Sequence, residues 1–262
     1  MNAVLYETQG NLGLITLNRP GALNSLDRAM IDGLRRATAQ AAADEQVRVV
    51  IIRSAGDHFM AGGDLKWFRE EIDGRHPDIE TQFQKTIDEV HASTLAIRHM
   101  NKPVIAVVQG AVAGYGLSLM MACDFALAAE SAYFTLAYCH IGLSPDGGAT
   151  WSLPRLVGLR KATELALLGE RFDAASAASL GLVNRVVPLA ELNSEAEALA
   201  AKLARGPAVA LARTKALLQS STAHSLEQQL EAEKHAFAAC AAEPNFAEGL
   251  AAFAEKRKPK FV

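Results

Sequence analysis

"GAVAGYGLSLMMACDFA", residues 110–126, decides how this chain is read. Gly110, Gly114 and Gly116 fall within seven residues, and no charge follows until Asp124. Glycines so spaced mean a tight bend or a close backbone approach. The apolar run behind them reads as a buried helix. Just before it, "PVIAVVQG" is a continuous apolar run that suits a strand covered on both faces. The unit is strand, bare turn, buried helix.

The same unit occurs earlier. "VRVVIIRSAGDHFMAGGDLKWF", residues 47–68, runs from a buried strand through Gly62-Gly63 into a helix beginning near Asp64. The first amides of a helix have no intrahelical acceptor, and the helix dipole adds partial positive charge there. Two such ends aimed at one point would offer a pair of N–H donors to a developing negative oxygen. An oxyanion hole of this kind supplies on the order of 3 kcal/mol per donor. It needs small residues more than reactive ones. Tight helix–strand packing accounts for one such turn alone; two in register favour the donor pair.

Outward from these units, residues 2–17 read as two short strands around "TQGN". After Arg19-Pro20-Gly21, Ser25 is placed to cap a helix carrying Leu26, Met30 and Leu34. Ile79, Phe83, Ile87, Val90 and Ile97 give helical spacing over 78–100, stopped by Asn101-Lys102-Pro103. "FALAA" and "AYFTLA" are two more short strands. From about residue 160 alanine-rich helical patterns dominate, apart from "LVNRVV". Pro207 fits a first helical position, and Ser225 with Gln228 forms a capping box ahead of Leu226, Leu230 and Phe237. The expectation is an α/β core over residues 1–190 and a helical region over 191–262 whose helices need partners, an oligomerisation region.

Composition narrows the function classes. Half of the 262 residues are hydrophobic, and 26 basic against 29 acidic residues leave a net charge of −3. With no basic block beyond the C-terminal "EKRKPK", nucleic acid is excluded as the main partner. Three cysteines without CxxC spacing suit a reduced, cytoplasmic protein. "MNAVLYETQG" shows no secretion signal, and no apolar stretch is long enough for a membrane span. No His/Asp/Glu cluster has ligand spacing, so no metal is expected.

Rival motifs are weaker. Gly114-Tyr115-Gly116 is half a dinucleotide fingerprint, but Leu119 stands where the third glycine belongs and the following acidic residue is absent. That weakens a dehydrogenase reading. Ser118 lies in "GLSLM", not in a GxSxG elbow. Cys139 and His140, read as strand neighbours, face opposite sides. They are expected to be a small buried thiol and a locally bonded imidazole. Cys123, in a helix interior, and Asp124, at its end, read as structural. Asp57 and His58 read as surface loop.

Five segments together carry a resemblance: "LNRPGALNSL", "HFMAGGDLKWF", "KPVIAVVQGAVAGYGLSLMMACDFALAAESAYF", "IGLSPDGGATWSLPRLVG" and "ASLGLVNRVVP". In content and order the chain resembles the crotonase family of enoyl-CoA hydratases and isomerases over nearly its whole length. The resemblance implies an α/β fold, a spiral of ββα units with a C-terminal helical domain, assembled as a homotrimer or homohexamer. It implies stabilisation of an acyl-CoA thioester enolate by the backbone N–H groups of Gly63 and Tyr115. Tyr115 departs from the glycine or alanine common there; the donor survives, while the phenol narrows the pocket. The hydratase branch uses two glutamates, and the positions that match are Ser118 and Tyr138, neither acidic.

What remains is Asp146. An aspartate there is found in branches that shift double bonds or rearrange ring-type acyl groups, and in one that attacks halogenated aromatic rings. That last branch would favour tryptophan where Tyr138 stands. One base suffices for isomerisation, and an apolar pocket would raise its basicity. The competing role for Asp146 is capping the Gly147-Gly148 turn or the helix near Trp151. Glu70 and Glu71, in "WFREEIDGRHPD", are secondary acid candidates that read better as a solvated wall. For coenzyme A, the thioester carrier of the substrate, the resemblance implies backbone contacts from Ala22 and Ala61. Lys66 would lie near the phosphates, and Lys256, in the basic tail, could reach a neighbouring subunit's CoA. No tightly bound cofactor is expected. The functional expectation is an enoyl-CoA isomerase with Asp146 as base. The alternatives are a hydratase with altered acid residues and a CoA-binding protein without turnover.

Overall fold

The computed structural model describes residues 2–74 and 77–262. Strands β1 (Val4–Gln9) and β2 (Leu12–Leu17) pair antiparallel about Gly10, which takes φ +58°. Helix α1 (Arg28–Ala43) returns the chain to β3 (Val49–Ser54). Helices α2 (Leu65–Asp73) and α3 (Ile79–His99) lead to β4 (Val104–Val108) and β5 (Ala111–Ala113). Then come α4 (Tyr115–Ala122), β6 (Phe125–Ala129) and β7 (Tyr133–Thr135). Helices α5 (Ala149–Val157) and α6 (Leu159–Leu168) precede β8 (Phe172–Asp173), α7 (Ala174–Ser179) and β9 (Arg185–Val187). Four further helices follow: α8 (Leu192–Ala204), α9 (Ala208–Ser220), α10 (Leu226–Ala241) and α11 (Pro244–Ala254).

The larger sheet has the order β1-β2-β3-β4-β6-β9, parallel from β2 onward; β5, β7 and β8 form a smaller one. Side chains alternate across the larger sheet with period two. Val50, Ile52, Val104, Ala106 and Val108 join the cluster with α1, α3 and α4, while Val49, Ile51, Ile105, Val107 and Leu127 face α8. A strand apolar on both faces is therefore one covered on both faces, as the "VVII" and "VIAVV" runs require. Helix α8 supplies the second cover through Leu192, Ala196, Ala200 and Ala204, so the helical region 191–262 begins as part of the sheet's packing.

Local readings change in five places. Asp27, not Ser25, caps α1: its Oδ1 accepts from Met30 N at 2.9 Å. Leu23 and Asn24 both take left-handed φ, which delays the helix and leaves Ser25 Oγ 3.3 Å from Asp64. Pro207 is extended and caps α9 from just outside it. Cys139 and His140 are not strand neighbours: β7 ends at Thr135, Ala137 turns left-handed at φ +56°, and residues 138–141 form a 3-10 turn. Both are exposed, with Cys139 Sγ 3.8 Å from His140 Nδ1. His58 is half-buried rather than on the surface, its Nδ1 accepting from Ala111 N at 3.0 Å. Cys123 stands just past the end of α4, and its buried Sγ lies 3.4 Å from the Leu119 carbonyl. The Ser225–Gln228 capping box is present as expected.

The last helices are thinly packed. Helix α9 has no buried residue, and α10 and α11 have one each, Ala236 and Ala252. Leu230, Phe237, Leu250 and Phe253 are exposed, Phe253 by 87%. Among the described residues no helix is long and apolar enough to cross a membrane.

Candidate active site

The two glycine turns lie side by side. Residue Met60 runs parallel to β5, with Met60 N donating to Ala111 O at 3.0 Å and Ala113 N to Met60 O at 2.8 Å. Both chains then bend through a left-handed glycine, Gly62 at φ +91° and Gly114 at φ +51°. A Cβ on Gly114 would sit 3.2 Å from Gly62 Cα, and one on Gly116 would sit 2.5 Å from the Met60 carbonyl oxygen. Glycine at Gly62 and Gly114 serves the turn, and at Gly116 the close approach.

Each bend leaves one amide over. Leu26 brackets Gly63: Leu26 N donates to Gly62 O at 2.7 Å, and Asp64 N to Leu26 O at 3.0 Å. The Gly63 N–H itself donates to no described residue. Tyr115 opens α4, so its N–H precedes the helical ladder and is likewise unused among the described residues. Asp64 caps α2 by accepting from Lys66 N and Trp67 N, and Arg19 holds its carboxylate at 3.1 Å. That pairing keeps Asp64 below the usual carboxylate range against the opposing effect of burial.

The loop carrying Asp146 closes over α4. Ser118 Oγ donates to the Asp146 carbonyl at 2.9 Å, and a Cβ on Gly147 would strike the Tyr115 ring at 2.7 Å. Tyr138 Cζ lies 4.0 Å from where a Gly114 Cβ would be, and its hydroxyl donates to Asp146 Oδ1. His91 Nε2 accepts from Gly147 N at 3.3 Å. The Tyr115 hydroxyl points away, 3.5 Å from both Thr94 Oγ1 and the Val90 carbonyl.

Burial pushes the Asp146 carboxyl above its ordinary range; the Tyr138 hydrogen bond and nearby His91 pull the other way without cancelling it. Burial also pushes up both Tyr115 and Tyr138, so both phenols stay protonated and Tyr138 acts as a donor. The carboxylate does not cap α5. Gly148 occupies the cap position without a side-chain bond, and only the Asp146 carbonyl serves the helix, accepting from Ala149 N at 3.2 Å. Ser118 and Tyr138, identified only as non-acidic, thus hold the carboxylate's backbone and side chain. His91 was not singled out, although it directly follows Val90 and lies one helical turn before Thr94 on α3.

Ala22 and Ala61 are brought together through Leu23, whose carbonyl accepts from Ala61 N at 3.1 Å. The Ala22 N–H is taken by Arg19 O. Lys66 is exposed in the first turn of α2, beside this segment in the chain. Asn24, fully buried, ties it to the preceding loop by donating to the Ala55 and His58 carbonyls. Lys256 stands apart: it is exposed past α11, and among the described residues no hydrogen bond or ion pair joins it to the other three. Glu70 is exposed, whereas Glu71 accepts from Trp67 Nε1 at 3.0 Å; Arg75 and His76 of that wall lie outside the described residues. Among the described residues no group of three or more His, Cys, Asp or Glu could hold a metal.

Known proteins with this sequence pattern are plentiful. The family model described as enoyl-CoA hydratase/isomerase matches residues 7–262. The chain is 35% identical, over 100% of its length and 98% of the other's, to a Rhodobacter capsulatus protein named a probable enoyl-CoA hydratase. It is 33% identical to the 1,2-epoxyphenylacetyl-CoA isomerase of Escherichia coli, covering 100% of this chain and 99% of that one. The crystal structure of an enoyl-CoA hydratase from Polaromonas superposes with a TM-score of 0.92 at 36% identity, covering 99% of both chains. With its ladder of parallel strands and its glycine turns, the chain has the crotonase fold and belongs to the enoyl-CoA hydratase/isomerase family.

Proposed function

We propose that this enzyme shifts double bonds within acyl-CoA thioesters, with Asp146 as the proton-carrying base. The observation that carries the reading is the neighbourhood of the two free amides. Of the carboxylates there, Asp64 is committed to capping α2 and to Arg19, which leaves Asp146, while the hydratase glutamate positions hold Ser118 and Tyr138. Gly63 and Tyr115 would donate their N–H groups to the thioester oxygen as negative charge develops on it. Asp146 would take a proton from one carbon of the acyl group and return it to another, leaving the bond count unchanged and the double bond moved. Burial raises its affinity for that proton, which suits a base that must hold it between the two steps.

Coenzyme A enters as the carrier. The Ala22 and Ala61 N–H groups are already engaged, so their contribution would come through carbonyl oxygens, Ala61 O directly and Ala22 O through the lone pair not used by Ser25 N, with Lys66 supplying a point charge to phosphate. The exposed apolar residues of α10 and α11 support a homotrimer or homohexamer, in which Lys256 would reach a neighbour's carrier. The E. coli relative named as an isomerase is in keeping with the reading, and the relatives named as hydratases define its rival.

The test compares 3-enoyl-CoA isomerisation, crotonyl-CoA hydration and acyl proton exchange with deuterated water, in the parent and in Asp146→Asn. Isomerisation and exchange should exceed hydration, and the substitution should reduce both by at least about 100-fold, the usual scale of general base catalysis. Near-normal isomerisation by Asp146→Asn removes the base. Hydration faster than isomerisation selects the hydratase reading, and tight acyl-CoA binding with no turnover selects a binding protein.

A further inference from the structure

Away from the paired glycine turns, α3, α5 and α9, with residues of α4 and α8, line a half-open cavity of about 570 Å³. Its apolar wall includes Met120, Met121, Leu182, Leu203 and Leu211. Its charged lining is unbalanced: Arg98, Arg155 and Lys215 stand against the single carboxylate of Asp124. Lys215 uses that carboxylate, with Nζ 2.7 Å from Asp124 Oδ2, and also donates to the Ile97 and Lys102 carbonyls. Asp124 Oδ2 accepts from Val104 N as well.

The two arginines are left over. Their guanidinium carbons lie over one ring, that of Trp151, at 4.9 Å for Arg98 and 4.0 Å for Arg155. Among the described residues neither has a carboxylate within ion-pair distance, and the Arg98 guanidinium makes no hydrogen bond. Arg155 donates only to the Trp151 carbonyl and to Thr222 Oγ1. Burial makes Arg98 hold its proton less tightly; Asp124 counters this and the like charge of Arg155 adds to it. Gln219, from α9, lines the same cavity with a buried Nε2 that has no acceptor. A second cavity of about 520 Å³ shares Arg98, Trp151, Lys215 and Gln219. The half-buried Arg98 guanidinium and the buried Gln219 Nε2 are donors without acceptors, which is costly, and an anion beside the exposed Arg155 would satisfy them together. The apolar wall selects an anion with a greasy body, and the volume is that of a small-molecule site.

We propose that this cavity binds an aliphatic monocarboxylate, its carboxylate held between Arg98 and Arg155 and its chain laid along the methionine and leucine wall. Gln219 Nε2 donates to the same head group. The site is separate from Asp146, and its occupancy does not depend on the reaction proposed above.

Calorimetric titration of the full-length protein with octanoate, in the presence of saturating coenzyme A, tests this. Octanoate should bind, and Arg98→Met and Arg155→Met should each weaken it at least about tenfold, as expected for loss of a charge-assisted bond. 1-Octanol and inorganic phosphate, each lacking half of the ligand, should bind at least about tenfold more weakly than octanoate. Arg155 is exposed, so its variant remains informative if Arg98→Met does not fold. No binding at millimolar octanoate, equal binding by both variants, or equal binding of octanol or phosphate overturns the proposal. So does binding that disappears as protein concentration rises, which would assign the cavity to a second copy of the chain.

Discussion

Replacing Tyr138 with phenylalanine should raise the pH at which Asp146 becomes an active base. The Tyr138 hydroxyl makes the one hydrogen bond that the Asp146 carboxylate accepts among the described residues. It stabilises the ionised form against burial, which already pushes the carboxyl above its ordinary 3.8. A hydrogen bond to a charged group is worth about 1.5–3 kcal/mol. The neutral acid retains part of that interaction, so about half to two-thirds of it discriminates between the two protonation states. At about 1.4 kcal/mol per pKa unit, the substitution should move the inflection upward by roughly one unit. Because the base works ionised, activity at low pH should fall while the plateau at high pH stays within a few-fold of the parent. Phenylalanine keeps the ring that packs beside Gly114, so folding is preserved. The assay is the pH dependence of kcat/KM for 3-enoyl-CoA isomerisation, or of deuterium exchange into a saturated acyl-CoA. An inflection that stays in place or moves downward would refute the reasoning, because it would mean the phenol does not stabilise the carboxylate.

In the parent, the same profile should show activity lost as pH falls through a single inflection above 3.8, read from kcat/KM against pH. Gly116→Ala should lower both activity and stability, since its Cβ would meet the Met60 carbonyl oxygen at 2.5 Å and push the two turns apart. A thermal melt should report about 1–3 kcal/mol of destabilisation, and turnover should drop by up to about 100-fold as the donors misalign. Lys215→Met should cost about 3–5 kcal/mol in denaturant unfolding, because it strands Asp124 largely buried without its cation. Lys215→Met paired with Asp124→Asn should recover much of that loss, and a double variant as unstable as the single one would contradict the ion-pair account.

Much of the architecture was legible because it rests on local pattern. Runs such as "VVII" and "VIAVV" can only be strands covered twice, and the structure covers them with α1, α3 and α4 on one side and α8 on the other. The α3 spacing and the Ser225 capping box are equally local, since each depends on residues three or four positions apart. The misread places are those where a few dihedral angles outweigh side-chain preference. Left-handed Leu23 and Asn24 moved the start of α1 to the reach of Asp27, and left-handed Ala137 ended a strand that hydrophobicity would have continued through Cys139.

By itself the sequence determined the paired strand–glycine–helix units, the family they belong to, and the absence of acids at Ser118 and Tyr138. These follow from steric demands that only certain residues meet, above all glycine where two backbones touch. Only the tertiary structure decided that Met60 aligns with β5 so that both turns bend together, that Tyr138 reaches Asp146, and that Arg98 and Arg155 share one tryptophan. Each of those joins segments far apart in the chain, and their contact depends on how the layers pack rather than on any pattern within a segment.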